Sequence, residues 1–261
     1  MPYGICRFRF HWPDAGNPSD TTQQKCETML SIFDAKLHIF RILKEAPFPR
    51  MRTAFLRKYY GRLRKYAGVD LDTVLAGLPD RLVVVDLGAN QGWFTQQVLD
   101  RADEIHAVEP DPLVFEILRR NVASRTNVRL YNAAIGAEDG EVTFYRQLEF
   151  DAQNPARNSV ASSVFSGHEA VNGAQGITVP QIGIVSFLEK IARPVDLMKI
   201  DIEGAEVPVL ETLLSSTMLN TVSVILVETH EHVLPELVDR TDALRQRIKR
   251  LERPKIDLNW H

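Results

Sequence analysis

Asp86, Glu109, Asp201, Glu203 and His230 have chemistry to offer, and each stands at or just beyond the end of a short apolar run. A carboxylate in such a place accepts hydrogen bonds from sugar hydroxyls or faces a cation. A histidine there takes a proton readily, because its ordinary pKa lies near neutrality. Asp201 and Glu203 are two residues apart, which in an extended chain turns both to one side. Asp201 is the first candidate to face a cofactor tail or an acceptor hydroxyl. Glu203 either shares that task or serves the helix that follows as a cap or dipole partner. Glu228 and His232 flank His230 in "ETHEH", and His230 is the candidate general base. With Asp201 this cluster could be read as a metal site, but it lacks a second ligand motif and no metal is expected.

Such residues need elements that bring them together. "LVVVD" (82–86), "EIHAVE" (104–109), "NVRLYNA" (127–133), "VDLMKID" (195–201) and "VSVILVE" (222–228) read as buried strands. Between them "GWFTQQVLDRA", "DPLVFEILRRNVAS" and "AEVPVLETLL" carry apolar residues at helical spacing. Alternating β and α elements imply an α/β fold with a mostly parallel, doubly wound sheet. Ligands of such sheets sit beyond the carboxyl ends of the strands, where strand order reverses. "GEVTFYR" (140–146) reads as a further strand entering a loop, and residues 147–176 as a long polar loop of functional or mobile character.

The first strand–helix loop, "DLGANQG", offers Gly88 and Gly92 for close backbone approach. A dinucleotide fingerprint starting at Gly88 would need glycine where Asn90 and Trp93 stand, which weakens a pyrophosphate reading. Glu109 ends the next strand 21 residues after Gly88, the place where an acid accepts from ribose hydroxyls; Pro110 stops the strand there. Asp86 could receive a cationic amino group directly or through water. Ribose, adenine and a zwitterionic tail without phosphate fit these parts, and S-adenosylmethionine is such a ligand. Trp93 and Phe94, at the start of the first helix, either shield the tail or pack helix against sheet.

On "VVDLGANQGWFT", "AVEPDP", "NVRLYNAAIGAEDGEVTFY", "SSVF", "LMKIDIEGAEVPVL" and "ILVETHEH", the sequence resembles class I S-adenosylmethionine-dependent methyltransferases, and more narrowly the FkbM family. The resemblance runs from about residue 83 to 232, with "KIDIEGAE" its most specific part. It implies a seven-stranded Rossmann-like methyltransferase fold and methyl transfer to a hydroxyl of a small molecule or a sugar. It also implies Asp86, Gly88, Asn90 and Gly92 against the cofactor, Glu109 on ribose, and Asn132 and Ala133 beside adenine. Ser162 and Ser163 match a family motif that suggests closure of the site. Two departures stand out: Leu188 replaces a usual aspartate, with Glu189 one place on, and "KIDLNWH" leaves room for a single strand after the last helix. Against the methyltransferase reading stand an NAD-dependent oxidoreductase or epimerase, which lacks a Tyr-x-x-x-Lys pair here, and a non-catalytic cofactor-binding module.

The chain divides near Pro79 into a leader and helical extension (1–79) and the cofactor-binding domain (80–261). Residues 1–20 are irregular, and 22–67 read as helical with a break at Pro47 and Pro49. Residues 36–65 hold ten Lys or Arg against Glu45 alone. They form either a solvated helical cover or a contact for an anionic surface. Net charge is −3, which argues against nucleic acid as partner; a small-molecule or saccharide acceptor is expected, and self-association is left open. Cys6 and Cys26 support neither a disulfide framework nor zinc. There is no apolar signal region and no run long enough to span a bilayer, so the expected compartment is the cytoplasm.

Overall fold

The structure, a computed structural model, describes residues 69–155, 159, 162–165, 171–231 and 233–260. Cys6, Cys26, the helical reading of 22–67 with its basic segment, and His232 lie outside them. The chain forms two compact units, Met1–Gly77 with Asn259–His261, and Leu78–Leu258. In the first, helix α1 (Leu71–Ala76) starts where the Asp70 carboxylate accepts from the Thr73 amide at 2.9 Å, an N-cap bond. All that follows concerns the second.

Strands β1 (Leu82–Leu87), β2 (Ala102–Val108), β3 (Val128–Tyr131), β7 (Val195–Ile200), β8 (Val222–Val227) and β9 (Lys255–Asp257) form one sheet in the order β3-β2-β1-β7-β8-β9. Every neighbouring pair is parallel. Central β1 is buried at all six positions, which explains its unbroken apolar run. The order reverses between β1 and β7, so the crevice beyond their carboxyl ends is the expected ligand site. Within the described residues the main sheet has six strands rather than seven, and only β9 follows the last helix. The mostly parallel α/β architecture is the one expected.

Helices join these strands and cover both faces. They are α2 (Trp93–Val98), α3 (Pro112–Asn121), α4 (Ile184–Ile191), α5 (Glu206–Leu214) and α6 (Val238–Ile248). Successive strand residues turn to opposite faces. Thus Val83, Val85, Leu87 and Val108 share a core with Phe187 and Leu188 of α4 and Leu210 of α5. Ala107 instead packs with Leu118 of α3. Leu188, where the family's aspartate is missing, is fully buried and belongs to this core. Each such leucine contributes about 1.5–3 kcal/mol by leaving water.

A second sheet, in the order β4-β6-β5, comprises β4 (Ala134–Gly136), β5 (Gly140–Gln147) and β6 (Val171–Gly183). β5 is the extra strand expected. β6 corrects the loop reading of 147–176, since it begins at Val171 and runs antiparallel to β5. Its start, "VNGAQG", has no apolar alternation in sequence, and it pairs with β5 at Val171 and Gly176.

Candidate active site

Gly88 and Gly92 both have positive φ, +77° and +89°, and Asn90 between them has φ +49°. Gly88 is forced to be glycine twice over, because a Cβ there would stand 1.8 Å from the Asp201 carbonyl oxygen. The ends of β1 and β7 therefore touch through backbone, and the Asp201 amide donates to the Leu87 carbonyl at 3.1 Å. The Gly88 and Ala89 amides turn back to the Val108 carbonyl, which ties the loop to β2.

Glu109 follows β2 and is almost wholly buried. Its two carboxylate oxygens accept from the Asn90 and Asp111 amides, both at 2.9 Å. Burial pushes its pKa up to about 8, and the two amide bonds only partly oppose that. The side chain of Asn132 donates to the Glu109 and Pro110 carbonyls at 2.9 and 3.0 Å, and Ala133 is buried beside it. The structure thus brings Asn90, Glu109, Pro110 and Asn132 together across three strand ends.

Asp86 differs from expectation. It is fully buried; Thr95 donates to one oxygen at 2.6 Å, and the Lys199 ammonium lies 3.5 Å from the other. The cation facing Asp86 belongs to the protein. Trp93 and Phe94 also part company: Phe94 is buried, whereas Trp93 is 70% exposed.

At the carboxyl ends of β7 and β8 the acids gather around a histidine. His230 Nδ1 donates to Glu206 Oε1 at 2.9 Å, while Nε2 lies 3.1 Å from Glu203 and 3.9 Å from Asp201. Burial alone would lower the pKa of His230. Glu206, then Glu203 and Asp201, outweigh it and raise the pKa to about 10. A pKa raised in this way favours the imidazolium, which donates a proton rather than accepts one and weighs against His230 as the general base. Asp201 and Glu203 do meet, but not as neighbours along a strand: Glu203 has φ +53° in a turn, and Gly204 follows at +111°. Glu203 does not cap α5. Glu206, the first residue of α5, ties down the preceding turn instead, accepting from the Ile202 and Gly204 amides at 2.9 Å each.

Sequence reasoning passed over Glu206, Lys199, Arg146 and Ser159. Lys199 was visible as a charge inside an apolar strand, and Glu206 as an acid three places after Glu203. Arg146 holds Asp111, the N-cap of α3, through two bonds of 2.6 and 3.0 Å, a pairing of residues 35 apart that no local pattern announces. Ser159 bonds the Asn90 side chain through its hydroxyl and its carbonyl. Ser162 accepts from the Gln147 amide, and Ser163 pairs with Tyr145 and donates to the Glu203 carbonyl.

A parallel sheet with a glycine loop and a strand-end acid at its reversal point defines a Rossmann-like α/β domain. Residues 86–252 match the methyltransferase FkbM domain, and the chain belongs to that family. It is 30% identical over 152 residues to "Methyltransferase 1" of Beauveria bassiana, covering 53% of this chain and 61% of that relative. It is 47% identical to the ribosomal RNA small subunit methyltransferase A of Rubrobacter xylanophilus over 60 residues, 23% of each chain. The chain thus spans less than two thirds of the length of either relative. A crystal structure of the FkbM methyltransferase from Methylobacillus flagellatus is similar over 83% of this chain and 54% of its own, with 14% identity and a TM-score of 0.46. Among the described residues no helix is long and apolar enough to cross a membrane.

Proposed function

We propose that this chain transfers a methyl group from S-adenosylmethionine to a hydroxyl of a small molecule or sugar, with residues 80–261 as the catalytic domain and 1–79 as its extension. The observation that carries the reading is the junction of the Asn90 amide with the buried Glu109 carboxylate beside the strand-order reversal. The oxygens of Glu109 retain lone pairs for two ribose hydroxyls. Glu109, Pro110, Asn132 and Ala133 would hold the nucleoside, and Gly88, Asn90, Gly92 and Asp201 the amino-acid tail. Once bound, the cofactor supplies a methyl group activated by a sulfonium. The protein's part is to align the acceptor oxygen in line and exclude water. The hydroxyl proton must also leave; with His230 already protonated, Asp201 or Glu203 is left to receive it.

Calorimetry with S-adenosylmethionine and NAD tests the cofactor, and formation of S-adenosylhomocysteine with saccharide, small-molecule and RNA acceptors tests the reaction. Binding of NAD alone overturns the reading. Binding of S-adenosylmethionine without turnover on any acceptor reduces the chain to a binding module, and methyl label in RNA moves the acceptor to nucleic acid, the substrate named for the Rubrobacter relative.

Glu109 gives a pH test. With its pKa near 8 before binding, the carboxyl must lose a proton before it accepts from two hydroxyls. Affinity for S-adenosylmethionine should therefore rise about tenfold per pH unit up to that value and level off above it. Glu109→Gln should flatten the profile and weaken binding at high pH by about 1.5–3 kcal/mol. An identical pH profile in the folded variant would remove Glu109 from the ribose.

A further inference from the structure

Lys199 sits inside β7 between two fully buried neighbours, Met198 and Ile200, and is itself only 5% exposed. A bare ammonium in that place is costly unless acceptors surround it. Its Nζ donates to the Gly88 carbonyl at 2.8 Å and lies 3.3 Å from Asp201 Oδ2 and 3.5 Å from Asp86 Oδ1. Strand register places Lys199 directly beside Asp86 across the β1–β7 pair. One cation thus gathers acceptors from a strand, the glycine loop and the turn after β7. Of the two carboxylates, Asp86 is sealed in, whereas the Asp201 side chain remains 27% exposed. A cationic group arriving from outside meets Asp201 first.

On the S-adenosylmethionine reading above, we propose that Lys199 is a positioning residue for the amino-acid tail of the cofactor. It satisfies Asp86 from within and fixes the Gly88 carbonyl and the Asp201 carboxylate at the mouth between β1 and β7. Asp201 is then the group that receives the ammonium of the tail. The nucleoside is held separately, at Glu109 on the far side of the glycine loop, so the two halves of the ligand should respond to different substitutions.

The test compares two ligands that share the nucleoside: S-adenosylhomocysteine, which has the tail, and methylthioadenosine, which lacks it. In Lys199→Met and in Asp201→Asn, calorimetry should show S-adenosylhomocysteine weakened roughly 10- to 100-fold, with methylthioadenosine within about twofold of the parent. Should Lys199→Met fail to fold because it strands Asp86, the pair Asp86→Asn with Lys199→Met removes both buried charges together and carries the same comparison. Equal losses for both ligands would mean that Lys199 merely supports the fold, and no loss for either would also overturn the proposal. A parent protein that binds neither ligand would instead sink the S-adenosylmethionine reading itself, and this inference with it.

Discussion

His230→Ala is expected to destabilise the folded protein by on the order of 3–5 kcal/mol, because it leaves the fully buried Glu206 without its cation. The loss should depend on pH in a defined direction. The folded pKa of His230, about 10, stands above its ordinary 6.5. Between those values the native state binds more protons than the unfolded chain, so the stabilisation is complete below pH 6.5 and fades as pH rises through 10. Urea denaturation at pH 6.5, 8 and 10 should show the parent losing a few kcal/mol across this window and His230→Ala losing far less. Parallel pH profiles would show that the ring is not held as a cation. With the ring held as a cation, a catalytic defect in the variant is expected to come from displaced Asp201 and Glu203 rather than from a missing base.

Gly88→Ala should be nearly as damaging. The methyl group would require a left-handed backbone and a contact of 1.8 Å with the Asp201 carbonyl, a backbone atom that no rotamer change can move. Strain and overpacking together should cost about 3 kcal/mol or more, and parting β1 from β7 should abolish cofactor binding. Gly140→Ala makes the control, since a Cβ there meets nothing within 4 Å. Stability near that of the parent in Gly88→Ala would refute the backbone contact between the two strand ends.

The strands of the main sheet were legible because β1, β7 and β8 are mostly buried and largely apolar, a signal that needs no partner to be read. Glu109 and the glycine loop were legible by spacing. What remained hidden depends on pairing at a distance. β6 is extended because β5 lies beside it, Asp86 faces Lys199 through strand register, and the pKa of His230 is raised because two acids of the turn after β7 and Glu206 of α5 surround it. The extended reading of Asp201–Glu203 failed for a local reason: it ignored Gly204, whose φ of +111° turns the chain at once.

The β4–β6 region leaves the main sheet after β3 and returns to it through α4, without entering the order of the six strands. Among the described residues its polar ties to the remainder include Arg146 on Asp111, Ser159 on the Asn90 side chain, Ser163 on the Glu203 carbonyl and Asp139 on the Ser186 hydroxyl. For protein engineering this defines a transplantable cassette. A graft of residues 134–183 from a relative has to supply a partner at each of those places, above all at Asn90, whose amide donates to Glu109. A graft that does so keeps the partners of Asn90 and Asp111, and with them the two amides that hold Glu109, so this region can be exchanged without rebuilding the main sheet.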